Sequence, residues 1–98
     1  MNEETVIQRK IQDYLNKRRI FNWRESDSKE SGRPDLVACY KGFFIGLEIK
    51  TPTGKPTELQ KTILSLINKA GGFGILATSV QDVEDLLRKI DLEDAWRR

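Results

Sequence analysis

The sequence contains no histidine, one cysteine and no long apolar run among its 98 residues. The lack of histidine excludes Ser-His and Cys-His nucleophilic triads and histidine-ligated zinc, and leaves lysine, carboxylates and tyrosine as proton-transfer groups. The lone Cys39 cannot form an internal disulfide, so the chain suits a reducing cytoplasm. No stretch approaches the ~20 apolar residues of a membrane span, and we expect no membrane association. We expect one cytoplasmic domain over residues 1–98.

The charge of the chain is nearly balanced but unevenly distributed. The net charge of +2 is too small to indicate a nucleic-acid-binding protein by itself. Residues 1–71 carry thirteen Lys+Arg against nine Asp+Glu, whereas residues 72–98 carry four against six. The basic excess therefore accompanies the stretch described next, and the C-terminal segment is acidic.

Two short apolar runs, Leu36–Tyr40 and Phe43–Ile49, predict a β-hairpin with Lys41-Gly42 as its turn. Because side chains alternate along a strand, Glu48 and Lys50 share one side of the second strand.

Asp35 precedes the first strand of this antiparallel pair, so we expect it beside Glu48 and far from the hairpin turn. Carboxylates are the ligands that Mg²⁺ prefers, and a nearby lysine can orient or deprotonate a water whose pKa a metal has lowered. Each residue also has an ordinary explanation: Asp35 could be a turn residue, and Glu48 and Lys50 could form an exposed ion pair. The set of three favours a metal-dependent site.

These residues carry a resemblance to a known family. Pro34-Asp35 followed by Glu48-Ile49-Lys50 resembles the PD-(D/E)XK nuclease motif. The chain further resembles the virus-type replication-repair nuclease (VRR-NUC) branch in three segments: Gly32-Arg33-Pro34-Asp35-Leu36-Val37, Leu47-Glu48-Ile49-Lys50-Thr51 and Leu59-Gln60. The resemblance covers nearly the whole chain, from about Glu4 to about Leu87. It implies an α/β fold with a restriction-endonuclease-like PD-(D/E)XK core, in which helices flank a small mixed sheet.

The resemblance also implies roles for individual residues. Asp35 and Glu48, with Glu4 and the carbonyl of Ile49, would hold Mg²⁺ or Mn²⁺; Glu3 is the alternative to Glu4. Lys50 would position the attacking water, and Gln60 would orient Lys50 or that water. Thr57-Glu58-Leu59-Gln60 is also a capping-box pattern, which explains Gln60 about equally well. Arg33, Lys55 and Lys61 are candidate phosphate contacts, and an ordinary solvated surface is the competing explanation.

Hydrophobic periodicity predicts the remaining elements in the order α-β-β-β-α-β-α. We expect helices over Glu3–Lys17 and Thr57–Ala70 and a capped helix after Ser79, and short strands over Ile20–Arg24 and Phe73–Thr78, with Glu25–Ser31 as a loop. The expected buried residues are Ile7, Ile11, Leu15, Phe21, Trp23, Cys39, Leu59, Ile63, Leu66, Ile67, Ala70, Val83, Leu86, Leu87 and Ile90. The basic Lys17-Arg18-Arg19 suits a helix C-terminus as well as it suits phosphate.

The predicted function is a metal-dependent, structure-specific DNA endonuclease. Stand-alone members of the family resemble dimeric Holliday-junction resolvases of phages and bacteria, so we expect a homodimer acting on four-way DNA. The apolar Leu92 and Trp96 near the C-terminus are expected to pack on the domain or on a second subunit. A monomeric flap or nicking nuclease and a catalytically silent nucleic-acid-binding domain are the alternatives. The presence of Asp35, Glu48 and Lys50 together argues against the silent domain.

Overall fold

The computed structural model describes residues 2–26 and 31–97. Its helices and strands follow the predicted order, which is thereby confirmed. Residues 27–30 of the predicted loop lie outside the described part of the chain. The elements are α1 (Glu3–Lys17), β1 (Asn22–Arg24), β2 (Leu36–Tyr40), β3 (Phe43–Ile49), α2 (Glu58–Lys69), β4 (Phe73–Ala77) and α3 (Val80–Arg97).

The four strands form one mixed sheet in the order β1-β2-β3-β4. The first three strands are antiparallel neighbours, whereas β4 runs parallel to β3. The β2–β3 turn has positive φ angles at Lys41 (51°) and Gly42 (82°). This left-handed pair twists with the strands and closes the hairpin in the predicted register.

One side of the sheet, here called the core face, carries the main hydrophobic core. It includes the odd-numbered residues of β3, which alternate away from Glu48. The helices α1 and α3 cover this face, and Ile11, Leu15, Val83, Leu87 and Ile90 are at most 1% exposed. The apolar stripes predicted for α1 and α3 are therefore confirmed.

The opposite side, here called the site face, carries Phe44, Gly46 and Glu48 of β3. The helix α2 lies over β3 and β4 on this side. A Cβ atom added to Gly46 would lie 2.7 Å from Cδ1 of Ile67 and 2.8 Å from Cγ of Pro34. The absence of a side chain at Gly46 thus allows α2 and the Pro34 ring to approach the strand closely.

Several residues predicted to lie in the core are exposed on the site face. Cys39 is exposed, Phe21 is 71% exposed and Trp23 is 44% exposed. Cys39 lies opposite Phe44 and Trp23 opposite Val37, so their side chains are on the side of α2. That helix covers β3 and β4, and it leaves this part of the sheet open. The core predictions for these three residues were wrong, because strand alternation shows which side chains share a face but not whether a helix covers that face.

The buried side predicted for α2 was also wrong in large part. Leu59 is 48% and Leu66 is 55% exposed, Ala70 is exposed, and Ile63 and Ile67 are partly buried. The apolar stripe of α2 is wider than the part that the sheet covers. Gln60 is the one buried residue of this helix.

On the edge strand β4, the side chain of Asn68 forms hydrogen bonds with the backbone of Gly74. The amide of Asn68 donates to the carbonyl of Gly74 (3.0 Å) and accepts from its backbone N–H (2.8 Å). Asn68 thereby satisfies two backbone groups that an edge strand otherwise presents to solvent. None of the described helices combines the length and apolar character of a membrane span.

The two sides of α3 give a matched test of the core. We expect Leu87→Ala to lower the free energy of unfolding by about 2–5 kcal/mol, because Leu87 is 1% exposed. Leu92→Ala makes the same change at a 67% exposed position of the same helix and should alter stability by less than about 0.5 kcal/mol. Urea unfolding of both variants measures the difference, and equal losses would contradict this placement of the core.

Candidate active site

Asp35 and Glu48 lie side by side at one end of the sheet, as predicted. Leu36 pairs with Leu47, so the preceding Asp35 lies opposite Glu48 on the neighbouring strand. Oδ2 of Asp35 accepts a hydrogen bond from the backbone N–H of Ile49 (2.8 Å). This contact fixes the first carboxylate against the end of β3.

The Glu48 carboxylate is buried and only half satisfied by hydrogen bonds. Its residue is 2% exposed, and Oε2 accepts a hydrogen bond from Nε2 of Gln60 (3.1 Å). No donor in the described residues reaches the buried Oε1. A buried carboxylate oxygen without a donor is costly, so this atom is a natural position for a bound cation.

Gln60 forms the capping box that the sequence pattern predicted, and it also binds the Glu48 carboxylate. Its side-chain oxygen accepts from the backbone N–H of Thr57 (2.8 Å), and its own N–H donates to the Thr57 hydroxyl (3.1 Å). This is a complete capping box at the start of α2. Because the amide oxygen is used by the cap, the amide nitrogen is oriented toward Glu48. The capping box is thereby confirmed, whereas the role of Gln60 in orienting Lys50 or the attacking water stays a prediction.

The pKa of Glu48 is raised from its usual value near 4.5 to about 8, and burial is the largest cause. The Asp35 carboxyl, through a hydrogen bond and its charge, and the charge of Glu4 contribute to this increase, whereas the charge of Lys50 opposes it. Two close carboxylates in a desolvated position disfavour double ionisation. Glu48 is therefore held toward its protonated form at neutral pH.

Lys50 and Glu4 both approach the carboxylate pair. Lys50 follows β3, is partly buried and lies on the same side of the chain as Glu48. Glu4 lies in the first turn of α1, and its charge acts on Glu48. Which of Glu4 and Glu3 would reach a metal stays a prediction. The sequence patterns of α1 and β3 are thus brought together by the fold.

The residues present fit a divalent cation, although they do not form a closed ligand cage. Within residues 2–26 and 31–97, no three acidic, cysteine or histidine side chains come close enough to hold a metal. Asp35 and Glu48 supply adjacent carboxylates, and the orphaned Oε1 of Glu48 lacks the positive partner that a cation would provide. Mg²⁺ commonly binds to one or two carboxylates and retains several waters, which suits such an open site. The contributions of Glu4 and the Ile49 carbonyl remain predictions.

The candidate phosphate contacts lie in different surroundings. Arg33 is exposed two residues before Asp35, and its Nε donates to the Ser31 hydroxyl (3.0 Å). Lys55 is exposed in the loop before α2. Lys61 is exposed and forms an ion pair with Glu58 (3.2 Å). Such a pair is common on a helix surface and is the alternative to a phosphate contact.

The basic cluster at the end of α1 lies away from the carboxylates. Cζ of Arg18 lies 5.9 Å from the centre of the Tyr40 ring, at the hairpin end of β2. Asp35 precedes the other end of that strand. This contact places Arg18 at the end of the sheet opposite to Asp35 and Glu48.

The packing of Pro34 was not predicted from the sequence, although the residue itself belongs to the motif. The Pro34 ring lies against Gly46 and so helps to set the path of the chain into Asp35. The signal was present as a proline directly before the first carboxylate, since proline fixes its own φ angle. Gly32 has a positive φ (72°), and a Cβ atom there would lie 2.4 Å from Cγ of Leu59. The Gly32-Arg33-Pro34-Asp35 segment is thus held between α2 and β3.

Two solved structures are similar to this chain over most of its length. One, named "VRR_NUC domain", has a TM-score of 0.75 and 21% identity, and the match covers 90% of this chain and 97% of the other. The second, named "VRR_NUC domain protein", has a TM-score of 0.68 and 18% identity, with 87% and 84% covered. A scan against family models and a search of curated proteins give no match. At these identities the likeness confirms the predicted fold.

We expect Glu48→Gln to stabilise the metal-free protein at pH 8.5. The pKa of Glu48 is higher in the folded than in the unfolded chain. The stabilising contribution of protonated Glu48 to the free energy of unfolding is therefore fully present below pH 4.5 and is lost as the pH rises through about 8. Glutamine mimics the protonated acid and can still accept from Gln60. The gain at pH 8.5 should be on the order of 1 kcal/mol, or about 4–8 °C in Tm, and should shrink toward pH 5.

Thermal unfolding in EDTA at both pH values measures this change, with Glu58→Gln as the control. Glu58 is exposed in the first turn of α2 and should show no such pH-dependent gain. An equal effect of Glu48→Gln at pH 5 and pH 8.5 would mean that Glu48 is ionised throughout.

Proposed function

We propose that this protein is a metal-dependent, structure-specific DNA endonuclease of the PD-(D/E)XK type. The observation that carries the proposal is the buried Glu48 carboxylate, which lies beside Asp35, binds Gln60 and leaves one oxygen without a donor. The likeness of the fold to two VRR-NUC domain structures supports the same conclusion. A purely structural carboxylate would gain nothing from this combination of burial and like charge.

Each residue of the site has a distinct role in the proposed reaction. Asp35 and Glu48 would hold Mg²⁺ or Mn²⁺, and the negative charge of Glu4 would strengthen that binding. When bound, such an ion supplies Lewis-acid activation of the scissile phosphate and lowers the pKa of water. Lys50 would orient the attacking water and stabilise the charge that develops on the phosphate. Gln60 keeps the Glu48 carboxylate in position through its hydrogen bond.

The DNA would be recognised through its backbone and shape. The described residues contain one small sheet and its helices, with no separate module to read bases. Arg33 and Lys55 are exposed on the segments that lead to and from the site and would contact phosphates. We infer that the substrate is a four-way junction cut by a homodimer, since two symmetric sites match two symmetric strands.

A cleavage assay on a panel of labelled DNA tests this function. Linear, flapped and four-way DNA are incubated with the protein in Mg²⁺, Mn²⁺ or EDTA. The proposal requires metal-dependent strand cleavage with a preference for the junction. Cleavage of flaps alone would favour the nicking alternative, and binding without cleavage in either metal would favour the silent domain.

We expect Lys50→Ala to reduce cleavage by about 10²–10⁴-fold while leaving folding and DNA binding largely intact. The reason is that Lys50 lies beside Glu48 without belonging to the hydrophobic core. Lys89→Ala, at an exposed lysine of α3, is the control and should cleave normally. Single-turnover cleavage and DNA titration measure the two properties. Activity of Lys50→Ala within a few-fold of the wild type would contradict the assigned role.

We expect Asp35→Asn to weaken Mn²⁺ binding by at least about tenfold, because the amide lacks the charge that attracts the ion. The asparagine oxygen can still accept from the Ile49 N–H, so the local fold is retained. Asp13→Asn removes an exposed aspartate of α1 and serves as the control. Calorimetry gives both affinities, and an unchanged affinity for Asp35→Asn would make Asp35 a turn residue.

A further inference from the structure

The outer side of α2 forms an exposed apolar groove that the chain itself does not fill. The groove has a volume of about 340 Å³. Its lining is almost wholly apolar: Phe44, Ile63, Leu66, Ile67, Ala70 and Gly72. Phe44 is 46% and Leu66 55% exposed, so large hydrophobic side chains lie open to solvent. Contiguous apolar surface of this kind marks an interaction site on a small domain.

The groove continues onto the uncovered part of the sheet. Phe44 lies opposite Cys39 in the β2–β3 ladder, and both are exposed on the site face. Trp23 lies on the same side, and its ring is 5.5 Å from that of Phe21. We call the groove together with Phe21, Trp23 and Cys39 the docking face. Its apolar character makes it a poor surface for phosphate, which requires positive charge.

The polar border of the groove is complementary to a second copy of itself. Leu59, Ile63, Leu66 and Ala70 share one stripe of α2, and the exposed residues directly before each of them form the border: Glu58, Thr62, Ser65 and Lys69. At the N-terminal end the border has the acidic Glu58, which also forms an exposed ion pair with Lys61 of its own chain (3.2 Å). Hydroxyls follow in the middle, and the basic Lys69 lies at the C-terminal end, about three turns away. Two antiparallel copies would bring Glu58 of each toward Lys69 of the other. Their helix dipoles would also oppose each other favourably.

We propose that the docking face is the homodimer interface, in which the α2 helices of two copies pack antiparallel about a two-fold axis. This inference builds on the proposed function, in which two copies act together, and assigns the surface that joins them. A two-fold contact uses the same patch on both subunits, as the border of α2 requires. Trp96 and Leu92, the apolar residues singled out in the sequence, lie on α3, which covers the opposite face of the sheet.

The interface would connect assembly directly to the nuclease site. Gln60 follows Leu59 on α2, and it holds Glu48 while its neighbour borders the docking face. The Gly32 segment that leads to Asp35 contacts Leu59 from the other side. Docking of a second α2 would therefore restrain the helix that orients the catalytic carboxylate, and would fix the distance between the two sites.

Two charged substitutions compare the candidate surfaces. Leu66→Asp places a carboxylate in the docking face, and Trp96→Asp places one on α3; both positions are more than half exposed, so both variants should fold. Analytical ultracentrifugation over a concentration series gives the dimer dissociation constant, with circular dichroism as the check on folding. We expect Leu66→Asp to raise this constant by at least about 100-fold and Trp96→Asp to change it by less than about threefold. A monomeric wild type, a dimeric Leu66→Asp or a monomeric Trp96→Asp would overturn the proposal.

A charge exchange tests the antiparallel arrangement independently of the apolar contact. Glu58→Lys and Lys69→Glu should each weaken the dimer several-fold, because each creates like-charged pairs at both ends of the helix contact. The double exchange should restore the affinity toward that of the wild type. Failure of the double variant to recover would overturn the antiparallel packing.

These outcomes are separate from the test of the nuclease. A wild-type dimer that dissociates with Leu66→Asp but cleaves no DNA would support the interface and refute the function. A wild-type monomer that cleaves junctions would support the nuclease activity and refute both the interface and the homodimer.

Discussion

The hydrogen bond between Gln60 and Glu48 connects the start of α2 to the buried carboxylate at the end of β3. The amide nitrogen of Gln60 holds the buried carboxylate, and its oxygen closes the cap that begins α2. One side chain thus ties the start of a helix to the end of a central strand. Loss of this contact would leave a second Glu48 oxygen without a donor and would free the first turn of α2. The geometry of the site and the position of the helix therefore depend on each other.

The same helix divides the molecule into two different surfaces. On its sheet-facing side, α2 approaches β3 closely over Gly46, and the Pro34 ring fills the remaining space. On its outer side, it presents Leu66 and the groove to solvent. The buried Glu48 carboxylate destabilises the metal-free site at neutral and higher pH, because burial and Asp35 raise its pKa to about 8. Under the proposed function, a cation at the carboxylates and a second copy at the groove would each stabilise such a site.

Much of the fold could be predicted from local patterns. The hairpin of β2 and β3 and the extent of α1 follow from alternation, from the Lys41-Gly42 turn and from helical periodicity. The proximity of Asp35 to Glu48 follows from the hairpin register alone. Burial was harder to predict. Periodicity shows that Trp23 and Cys39 share a face and that α2 has an apolar stripe, but it does not show how much surface the chain can cover. The errors at Cys39, Phe21, Trp23 and α2 all concern the one face that is half covered.

The Asn68–Gly74 contact has a consequence for how copies of this protein can meet. Small sheets often join through their edges, where unpaired backbone groups extend the ladder into a neighbouring molecule. In β4 the carbonyl and N–H of Gly74 already form hydrogen bonds with the side-chain amide of Asn68, as they would with a neighbouring strand. At the other edge, β1 is only three residues long. Extension of the sheet into a neighbouring molecule is thereby disfavoured at Gly74, so the proposed dimer would have to form through side-chain surfaces rather than through this edge.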